Sequence, residues 1–234
     1  KRKINNIEKQ DNKRILEQMQ KDLHLKYRPR HIECFDNSNI QGANPVAACV
    51  VFKNARPSKK DYRHFNIKTV VGPDDFASME EVVYRRCKRL LDEQQPLPEL
   101  IVVDGGKGQL SSAVKSLDKL KLRGKVAIIG IAKRLEEIYF PGDSVPLYLD
   151  KRSESLKLIQ QLRDEAHRFG ITHHRKQRGK DILGTSLDKI DGIGPKTVEL
   201  LISHFGSVKK VMEAKKEELE KLIGKAKAKK IYEK

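Results

Sequence analysis

The hydrophobic and polar positions of the chain predict a layered α/β domain that begins with three strands. The runs HIECFDNSNI, NPVAACVVFKNA and KKDYRHFNIKTV are separated by the turn sequences NIQGAN and NARPSKK. Because these connections are short, we expect an antiparallel three-stranded meander. Tyr62 in the third run lies between cations, which would suit base stacking, but an exposed edge strand is the preferred interpretation.

A helix and two further strands are expected after the meander. Apolar residues recur at helical spacing in DDFASMEEVVYRRCKRLLDEQ and predict an inward stripe of Met79, Val82, Val83, Cys87, Leu90 and Leu91. The segment PELIVVDGG shows no polar alternation, so it predicts a strand that helices cover on both faces. A helix over about 107–121 separates it from a second buried strand in KVAIIGIA. These elements predict an α/β fold, a mixed sheet with flanking helices.

The remaining segments predict the division of the chain into domains. EEIYFPGDSVPLYLD predicts an additional hairpin, and a long helix from about Ser153 is expected to turn one apolar stripe inward: Leu156, Ile159, Leu162, Ala166 and Phe169. The charged start predicts a solvated lead-in helix that ends before Pro29. The polar segment KQRGKDILGTS predicts a domain boundary. We therefore expect a lead-in segment at 1–30, a main domain at 31–180 and a small all-α domain at 185–234.

The charge of the chain narrows the class of partner. In 234 residues, 49 Lys and Arg against 32 Asp and Glu give a formal net charge of +17, which favours nucleic acid over ribosomal or membrane-surface roles. No apolar run approaches the roughly 18 to 20 residues of a membrane span, so no membrane partner is expected. The start KRKINNIEKQ lacks the apolar stretch of a secretory signal and would suit a fragment of a longer protein.

The three cysteines indicate a reducing compartment. Cys34, Cys49 and Cys87 are odd in number, widely separated and set in apolar runs without a C-x-x-C pair. They predict reduced, buried thiols of a cytosolic protein, with metal ligation as the weaker alternative.

Two aspartates end apolar strands, Asp36 in IECFD and Asp104 in LIVVD. Taken singly, each is more simply a turn former or a helix cap. If the two strands are neighbours, however, both carboxylates meet at one edge of the sheet, where a partly hydrated Mg²⁺ or Mn²⁺ would offset their repulsion. Such an ion serves phosphodiester hydrolysis, so the pair predicts a metal-dependent nuclease.

The residues after Asp104 suit a phosphate ligand. Gly105, Gly106 and Gly108 would let the backbone approach a large anion, and the helix that follows directs its first N–H groups toward the same place. Lys107 is a candidate phosphate contact. The stretch lacks the G-x-x-x-x-G-K-[ST] spacing, which argues against binding of a nucleoside triphosphate.

Histidines on the long helix extend the candidate site. His167 in IQQLRDEAHRFG lies off the apolar stripe, on a polar face that it shares with Gln160, Arg163 and Asp164. It is either a surface residue or a third member of the metal site, as ligand or as proton donor and acceptor. His173 and His174 belong instead to a basic tract expected to contact phosphates, with Arg175, Lys176, Arg178 and Lys180.

Asp74 and Asp75 open the helix after the meander, where an N-cap is the simplest interpretation. Asp75 is the stronger functional candidate, because a carboxylate in the first turn could also reach the metal edge.

The C-terminal segment carries a signal for backbone binding of phosphate. IDGIGPKTVELL places Gly192 and Gly194 in a tight turn, with Pro195 at a helix start and Lys196 beside it. Bare N–H groups at such a turn bind phosphate without reading base sequence, although a plain helix-helix turn is the alternative. A second unit, KLIGKAKAKK, keeps Gly224 but has Lys225 where the first has Ile193, so we expect a looser hairpin.

Four stretches together resemble the UvrC family of bacterial nucleotide excision repair, in its C-terminal half. They are IECFDNSNIQGANPVAACVVF, DDFASMEEVVYRR, ELIVVDGGKGQL and LRDEAHRFGITHHRKQR, and they run from about 31 to 175. The DGGKGQ and RDEAHRF segments are specific motifs. The final module resembles the tandem helix-hairpin-helix domain that closes the same family.

The resemblance implies an RNase H-like endonuclease domain that makes the 5′ incision beside a DNA lesion with a divalent metal. The family's Asp, Asp and His triad corresponds to Asp36, Asp104 and His167, and a further functional aspartate corresponds to Asp75. The residues expected to contact DNA are Lys107, Arg163, Arg175, Lys176, Arg178, Gly192, Gly194, Lys196, Gly224 and Lys225. The family's other nuclease domain and its segment for the UvrB–DNA complex are not in this sequence, so we expect weak nicking without regard to lesions.

Two other hypotheses remain open. In one, the chain is a noncatalytic DNA-binding module, in which Asp36 and Asp104 are structural. In the other, it is a structure-selective nuclease of the resolvase or RNase H type.

Overall fold

The computed structural model describes residues 2–38, 46–70, 74–132, 136–182, 187 and 190–232, with side chains described for 7–38 and, on the long helix, up to residue 172. The chain divides into two compact units, Lys1–Thr172 and His173–Lys234.

The first unit is built on one mixed sheet. Its strands are β1 (His31–Ser38), β2 (Val46–Lys53), β3 (Arg56–Pro57), β4 (Arg63–Asn66), β5 (Leu100–Asp104), β6 (Ala127–Ala132) and β7 (Glu137–Tyr139). They are arranged in the order β3-β2-β1-β5-β6-β7, with β4 also paired to β2. The β1, β2 and β4 pairings are antiparallel, which confirms the predicted meander. Strand β5 runs parallel to both β1 and β6, and β7 returns antiparallel to β6.

Helices flank this sheet, as the sequence pattern predicts. They are α1 (Arg2–Asp22), α2 (Asp75–Asp92), α3 (Lys107–Lys119) and α4 (Glu154–Ile182). Every residue of β5 is buried, because the strand is central and covered on both faces. On α2 the predicted stripe is buried with one exception: Leu91 is 41% exposed, since it lies one position beyond the inward face.

The lead-in helix α1 was expected to be solvated, but one of its faces is buried. Leu16, Met19 and Leu23 are at most 2% exposed and belong to the main hydrophobic core. The helix packs by one sparse apolar stripe while its other faces carry the charges that suggested a solvated segment.

The strand after Tyr62 lies at the edge of the sheet, as the preferred interpretation expects, but Tyr62 itself is buried rather than exposed. Strand β4 pairs with β2 at the edge, and Tyr62, just before it, is 7% exposed. Its ring packs edge-on against Phe169 with centroids 5.1 Å apart. Burial is the main cause that raises the pKa of its hydroxyl, followed by the charge of Glu165. A ring held in this way offers no face to a nucleobase.

The second unit has helices for all of its described elements. They are α5 (Pro195–Phe205), α6 (Val208–Glu213), α7 (Lys216–Ile223) and α8 (Lys225–Tyr232). Its own core contains Leu187, Val198, Leu201, Leu219 and Ile231. The predicted fold class, a mixed sheet with flanking helices followed by an all-α region, is therefore confirmed.

Cys34, Cys49 and Cys87 are buried free thiols, as predicted. No helix among the residues described is long and apolar enough to cross a membrane.

Candidate active site

The sheet brings Asp36 and Asp104 side by side where the parallel pairing of β1 and β5 ends. In the register of β1 and β5, Phe35 pairs with Val103, and the two aspartates are the next residues on each strand. The adjacency on which the sequence argument depended is confirmed. Because side chains at paired positions of parallel strands leave the sheet on the same face, both carboxylates belong to one face of the edge.

Both aspartates are buried. Asp36 is 3% exposed and Asp104 is 6% exposed, and both carboxylate oxygens of Asp104 are shielded from solvent. Cys34 lies two residues before Asp36, on the same face of β1. Burial raises the pKa of its thiol well above 9.0, and the negative charges of Asp104 and Asp36 raise it further. Two buried carboxylates on one face of the sheet are stabilised when a positive charge lies beside them.

The helix α4 adds His167 to the pair. Its inward stripe, which includes Leu162 and Ala166, fixes the helix on the sheet and places the next residue at the rim. There the Nδ1 atom of His167 lies 3.1 Å from Oδ2 of Asp36, while 52% of the side chain stays exposed. The histidine is therefore held by one carboxylate and remains open to a ligand arriving from solvent.

The start of α2 is attached to the same edge. Asp74 is the N-cap, since its Oδ1 accepts the N–H groups of Phe76 and Ala77 at 3.0 Å. Asp75 is the first helical residue, and its carbonyl oxygen accepts a hydrogen bond from Nδ2 of Asn37 at 2.8 Å. Asn37, which directly follows Asp36, thus attaches this end of β1 to the first turn of α2.

Asn37 is a site residue that the sequence argument missed. Its Oδ1 atom is buried, with no hydrogen-bond partner among the residues that the structure describes. The available signal was an amide side chain directly after a strand-end aspartate, in FDNSN.

The glycines after Asp104 have different roles from one another. Gly106 caps α3, and a Cβ there would meet nothing within 4 Å, so this position is open to a ligand. At Gly108 an added Cβ would lie 2.4 Å from Cε1 of Phe76. Gly108 therefore lies directly against the aromatic ring, which would have to move to admit a side chain there.

The two predicted cations near the edge already have protein partners. Lys107 donates to the carbonyl oxygen of Ser144, and its Nζ lies 5.2 Å from the centre of the Tyr139 ring. Arg163 donates to Oδ1 of Asp164, with Nη2 3.1 Å away, and is 17% exposed. The positive charge of Arg163 opposes the effect of the two carboxylates on the pKa of Cys34, which indicates that it lies near the same face.

The donor chemistry of the edge fits a hard divalent cation. Among the described residues, no group of three or more His, Cys, Asp or Glu is arranged to hold a metal ion. Mg²⁺, however, is commonly held by one or two carboxylates and keeps several waters, so Asp36 and Asp104 form an adequate donor pair. The role of His167 as a third ligand stays a prediction, because its described contact is with Asp36.

The side chains of the basic tract lie outside the described residues. This applies to His173, His174, Arg175, Lys176, Arg178 and Lys180.

The second unit contains the predicted turn before α5. Gly192 has φ of +83°, a conformation that glycine adopts without strain, and Gly194 caps a helix that begins at Pro195. Gly194 and Lys196 are exposed.

Two lysines of α8, which the sequence argument missed, reach this turn. The Nζ atom of Lys230 donates to the carbonyl oxygen of Asp191 at 2.8 Å, and Nζ of Lys227 donates to Oγ1 of Thr197 at 3.1 Å. These contacts join elements far apart in the chain, so no local sequence pattern could reveal them.

The second hairpin has a one-residue connection, and its expected looseness stays a prediction. Helix α7 ends at Ile223 and α8 begins at Lys225, with Gly224 alone between them at φ of +82°. Glycine adopts this conformation without strain, and Lys225 begins the next helix instead of extending a loop.

Comparison with known proteins identifies both units. The family model for the UvrC RNase H endonuclease domain matches residues 20–171, and the model for a SAM-like helix-hairpin-helix tandem matches residues 185–234. UvrABC system protein C of Flavobacterium psychrophilum is 72% identical over 93% of this chain. The protein of the same name from Flavobacterium johnsoniae is 70% identical over 94% of this chain. The chain spans 36% and 37% of these two relatives.

Among solved structures, endonuclease V from Bacillus subtilis aligns with a TM-score of 0.37 and 14% identity. The alignment covers 66% of this chain and 90% of that protein. A similarity of this size has no bearing on function.

Proposed function

The chain belongs to the UvrC family, and from this premise we propose that it is a divalent-metal-dependent endodeoxyribonuclease. Its reaction is hydrolysis of a DNA phosphodiester at the edge of β1 and β5. In bacterial nucleotide excision repair this activity would make the 5′ incision. The observation that carries the proposal is the parallel register that buries Asp36 beside Asp104 with His167 bound to Asp36.

Asp36 and Asp104 are the residues that would hold Mg²⁺ or Mn²⁺. When bound, such an ion would offset the repulsion between the carboxylates and act as a Lewis acid toward the phosphodiester. Asp75 is the third proposed carboxylate of the site, because the bond from Asn37 fixes its backbone at the same edge.

His167 is proposed to move a proton. With its hydrogen on Nδ1, the ring donates to Oδ2 of Asp36 and leaves Nε2 as a base on the solvent side. A histidine oriented by a carboxylate is a usual arrangement for general acid–base catalysis. The half-exposed ring is compatible with contact to a substrate that arrives from solvent.

The second unit is proposed to bind double-stranded DNA without reading its sequence. The N–H groups at the Gly192–Gly194 turn and the charge of Lys196 would contact phosphates. The same role is proposed for Lys107, Arg163, Arg175, Lys176, Arg178, Gly224 and Lys225. In the longer relatives the partner would be the UvrB–DNA complex, as the name UvrABC system protein C suggests.

A noncatalytic DNA-binding module is the second candidate. It is favoured by the absence, among described residues, of a group of three or more potential metal ligands. In that case the buried aspartates would be structural.

Thermal unfolding with and without Mn²⁺ separates the two candidates. A nuclease centre predicts that Mn²⁺ raises the melting temperature and that Asp36→Asn and Asp104→Asn remove the increase, since a ligand stabilises only the state that binds it. Asp92→Asn, at the exposed end of α2, is the matched control and should keep the increase. No increase in the parent protein, or an equal one in all variants, would favour the binding module.

A further inference from the structure

Phe76 is an exposed aromatic residue at the edge where the proposed reaction takes place. Of the seven phenylalanines in the chain, all within the described residues, it alone is exposed, at 52%. It follows Asp75 in the first turn of α2, and that turn is bound to Asn37 at the end of β1. The ring therefore stands at the same end of the sheet as Asp36 and Asp104.

Local packing holds the ring in its place. Asp74 accepts the N–H of Phe76, which fixes the backbone of the first turn. The ring lies over Gly108 in the first turn of α3, where an added Cβ would be only 2.4 Å from Cε1. The ring thus lies close to the backbone of Gly108 with no side chain between them, while half of the surface of Phe76 remains in solvent.

Phe76 does not belong to the buried stripe of its helix. The buried stripe of α2 is formed by other residues, from Ser78 and Met79 to Leu90. A solvent-exposed aromatic ring forgoes the free energy that burial of its apolar surface would contribute. A flat apolar surface at a site of nucleic-acid chemistry is the feature that proteins use to stack nucleobases.

The charges around the ring favour an uncharged group as its ligand. Two acidic side chains, Asp74 and Asp75, stand directly before the ring, whereas the exposed start of α3 carries Lys107. A nucleobase carries no charge and has a π-face that matches the ring in size. An unpaired base presents this face, and a base inside an intact duplex does not.

We propose that Phe76 stacks on an unpaired nucleobase beside the scissile phosphate, and so directs the enzyme to DNA whose strands are locally separated. The proposal rests on the proposed nuclease function, and it names both the substrate class of that site and the residue that selects it.

Affinity for DNA in a protein that cannot cleave it tests the stacking separately from the chemistry. In an Asp104→Asn background, Phe76→Ala should weaken binding to a bubble duplex about 5- to 150-fold, the range expected for one stacked base. Affinity for the fully paired duplex should not change. Phe76→Tyr keeps a flat ring and should bind the bubble as well as Phe76 does.

Two further variants make the test specific. Leu91→Ala removes another exposed apolar side chain of α2, 41% exposed and at the far end of the helix, and should leave both affinities unchanged. Gly108→Ala places a methyl group where the ring now lies, so it should weaken bubble binding without altering Phe76 itself. Melting temperatures of all variants show whether they are folded.

A fluorescent base reports the stacking directly. With 2-aminopurine in the bubble, stacking on Phe76 should quench its fluorescence, and Phe76→Ala should abolish the quenching. The proposal would be overturned if Phe76→Ala bound the bubble as tightly as Leu91→Ala does. It would also be overturned if Phe76→Ala weakened binding to the paired duplex as much as binding to the bubble. Failure of the nuclease function gives a different result, in which the parent protein with Mn²⁺ leaves the bubble uncut.

Discussion

Glu33 and Asp36 lie three residues apart on β1, so their side chains leave the sheet on opposite faces and contact different helices. Glu33 is fully buried and faces α2, where Arg86 donates to it from Nε at 2.9 Å and from Nη2 at 2.6 Å. His31 adds a contact of 3.0 Å. Asp36 faces α4 and has His167 as its described partner. The charge of Glu33 is thus neutralised within the fold, whereas Asp36 belongs to the proposed metal site.

The Glu33 cluster predicts a specific dependence of stability on pH. Burial alone would raise the pKa of Glu33, but the hydrogen bonds from His31 and Arg86 outweigh it and hold the pKa below 4.5. The cluster therefore stabilises the fold above about pH 4.5, and this stabilisation is lost as the pH falls through the lower pKa of the folded state. At neutral pH we expect Glu33→Gln to cost about 3 to 5 kcal/mol, since it leaves Arg86 buried without its counter-ion.

Urea unfolding from pH 7 to pH 3 measures this contribution. The difference in unfolding free energy between the parent protein and Glu33→Gln should be largest at pH 7 and shrink below about pH 4.5. Glu17→Gln is the control, since its pair with Arg28 is half exposed and should be worth less than about 1 kcal/mol. A difference that stays constant over this range would contradict the assignment.

Helix α1 shows at the scale of an element how a charged sequence hides a packing role. Met19 is fully buried and Leu16 is 2% exposed, although most neighbouring residues are charged or polar. Met19→Ala should therefore lower the unfolding free energy by about 2 to 5 kcal/mol. Gln18→Ala, an exposed neighbour, should change it by less than about 0.5 kcal/mol. If both substitutions changed the free energy of unfolding in urea by the same small amount, α1 would be a solvated segment and its packing role would be contradicted.

The turn before α5 predicts a separation between stability and DNA binding. Gly192 and Gly206 both have φ of +83°, so alanine at either position should cost about 1 kcal/mol of stability. Gly192 also adjoins Lys230, whose Nζ would be 2.8 Å from an added Cβ, whereas nothing lies within 4 Å at Gly206. We expect only Gly192→Ala to weaken duplex binding, by about tenfold, through loss of a charge-assisted phosphate contact. Equal affinities of the two variants in a fluorescence-anisotropy titration would contradict this.

The elements were predictable from sequence where periodicity is strong, and less so where it is weak. Strand β5 and helices α2 and α3 follow from uninterrupted or regularly spaced apolar residues. The burial of α1 was not predicted, because a sparse stripe does not reveal whether another element will cover it. At the site, the strand ends identified Asp36 and Asp104. The contact of His167 with Asp36 and the roles of Asn37 and Lys230 depend on tertiary packing that no local pattern encodes.

At the scale of the whole molecule, a net charge of +17 and a helix-hairpin-helix tandem favour DNA binding without selection of sequence. No residue assigned to the site reads the chemistry of a lesion. We therefore expect the chain to nick damaged and undamaged duplex equally when the lesion leaves the strands paired. Nicking rates on two duplexes that differ only in such an adduct test this, and strong preference for the damaged one would contradict it.

The central claim is that Asp36 and Asp104 form the metal-dependent nuclease centre. The most direct measurement is nicking of a labelled bubble duplex in Mn²⁺ or EDTA by the parent protein, Asp36→Asn, Asp104→Asn, His167→Ala and the control Asp92→Asn. We predict nicking that requires Mn²⁺, survives in the control, falls to background in both site aspartate variants and drops at least about 100-fold in His167→Ala, with bubble affinity retained. Nicking by Asp104→Asn at the parental rate, or nicking in EDTA, would contradict the account.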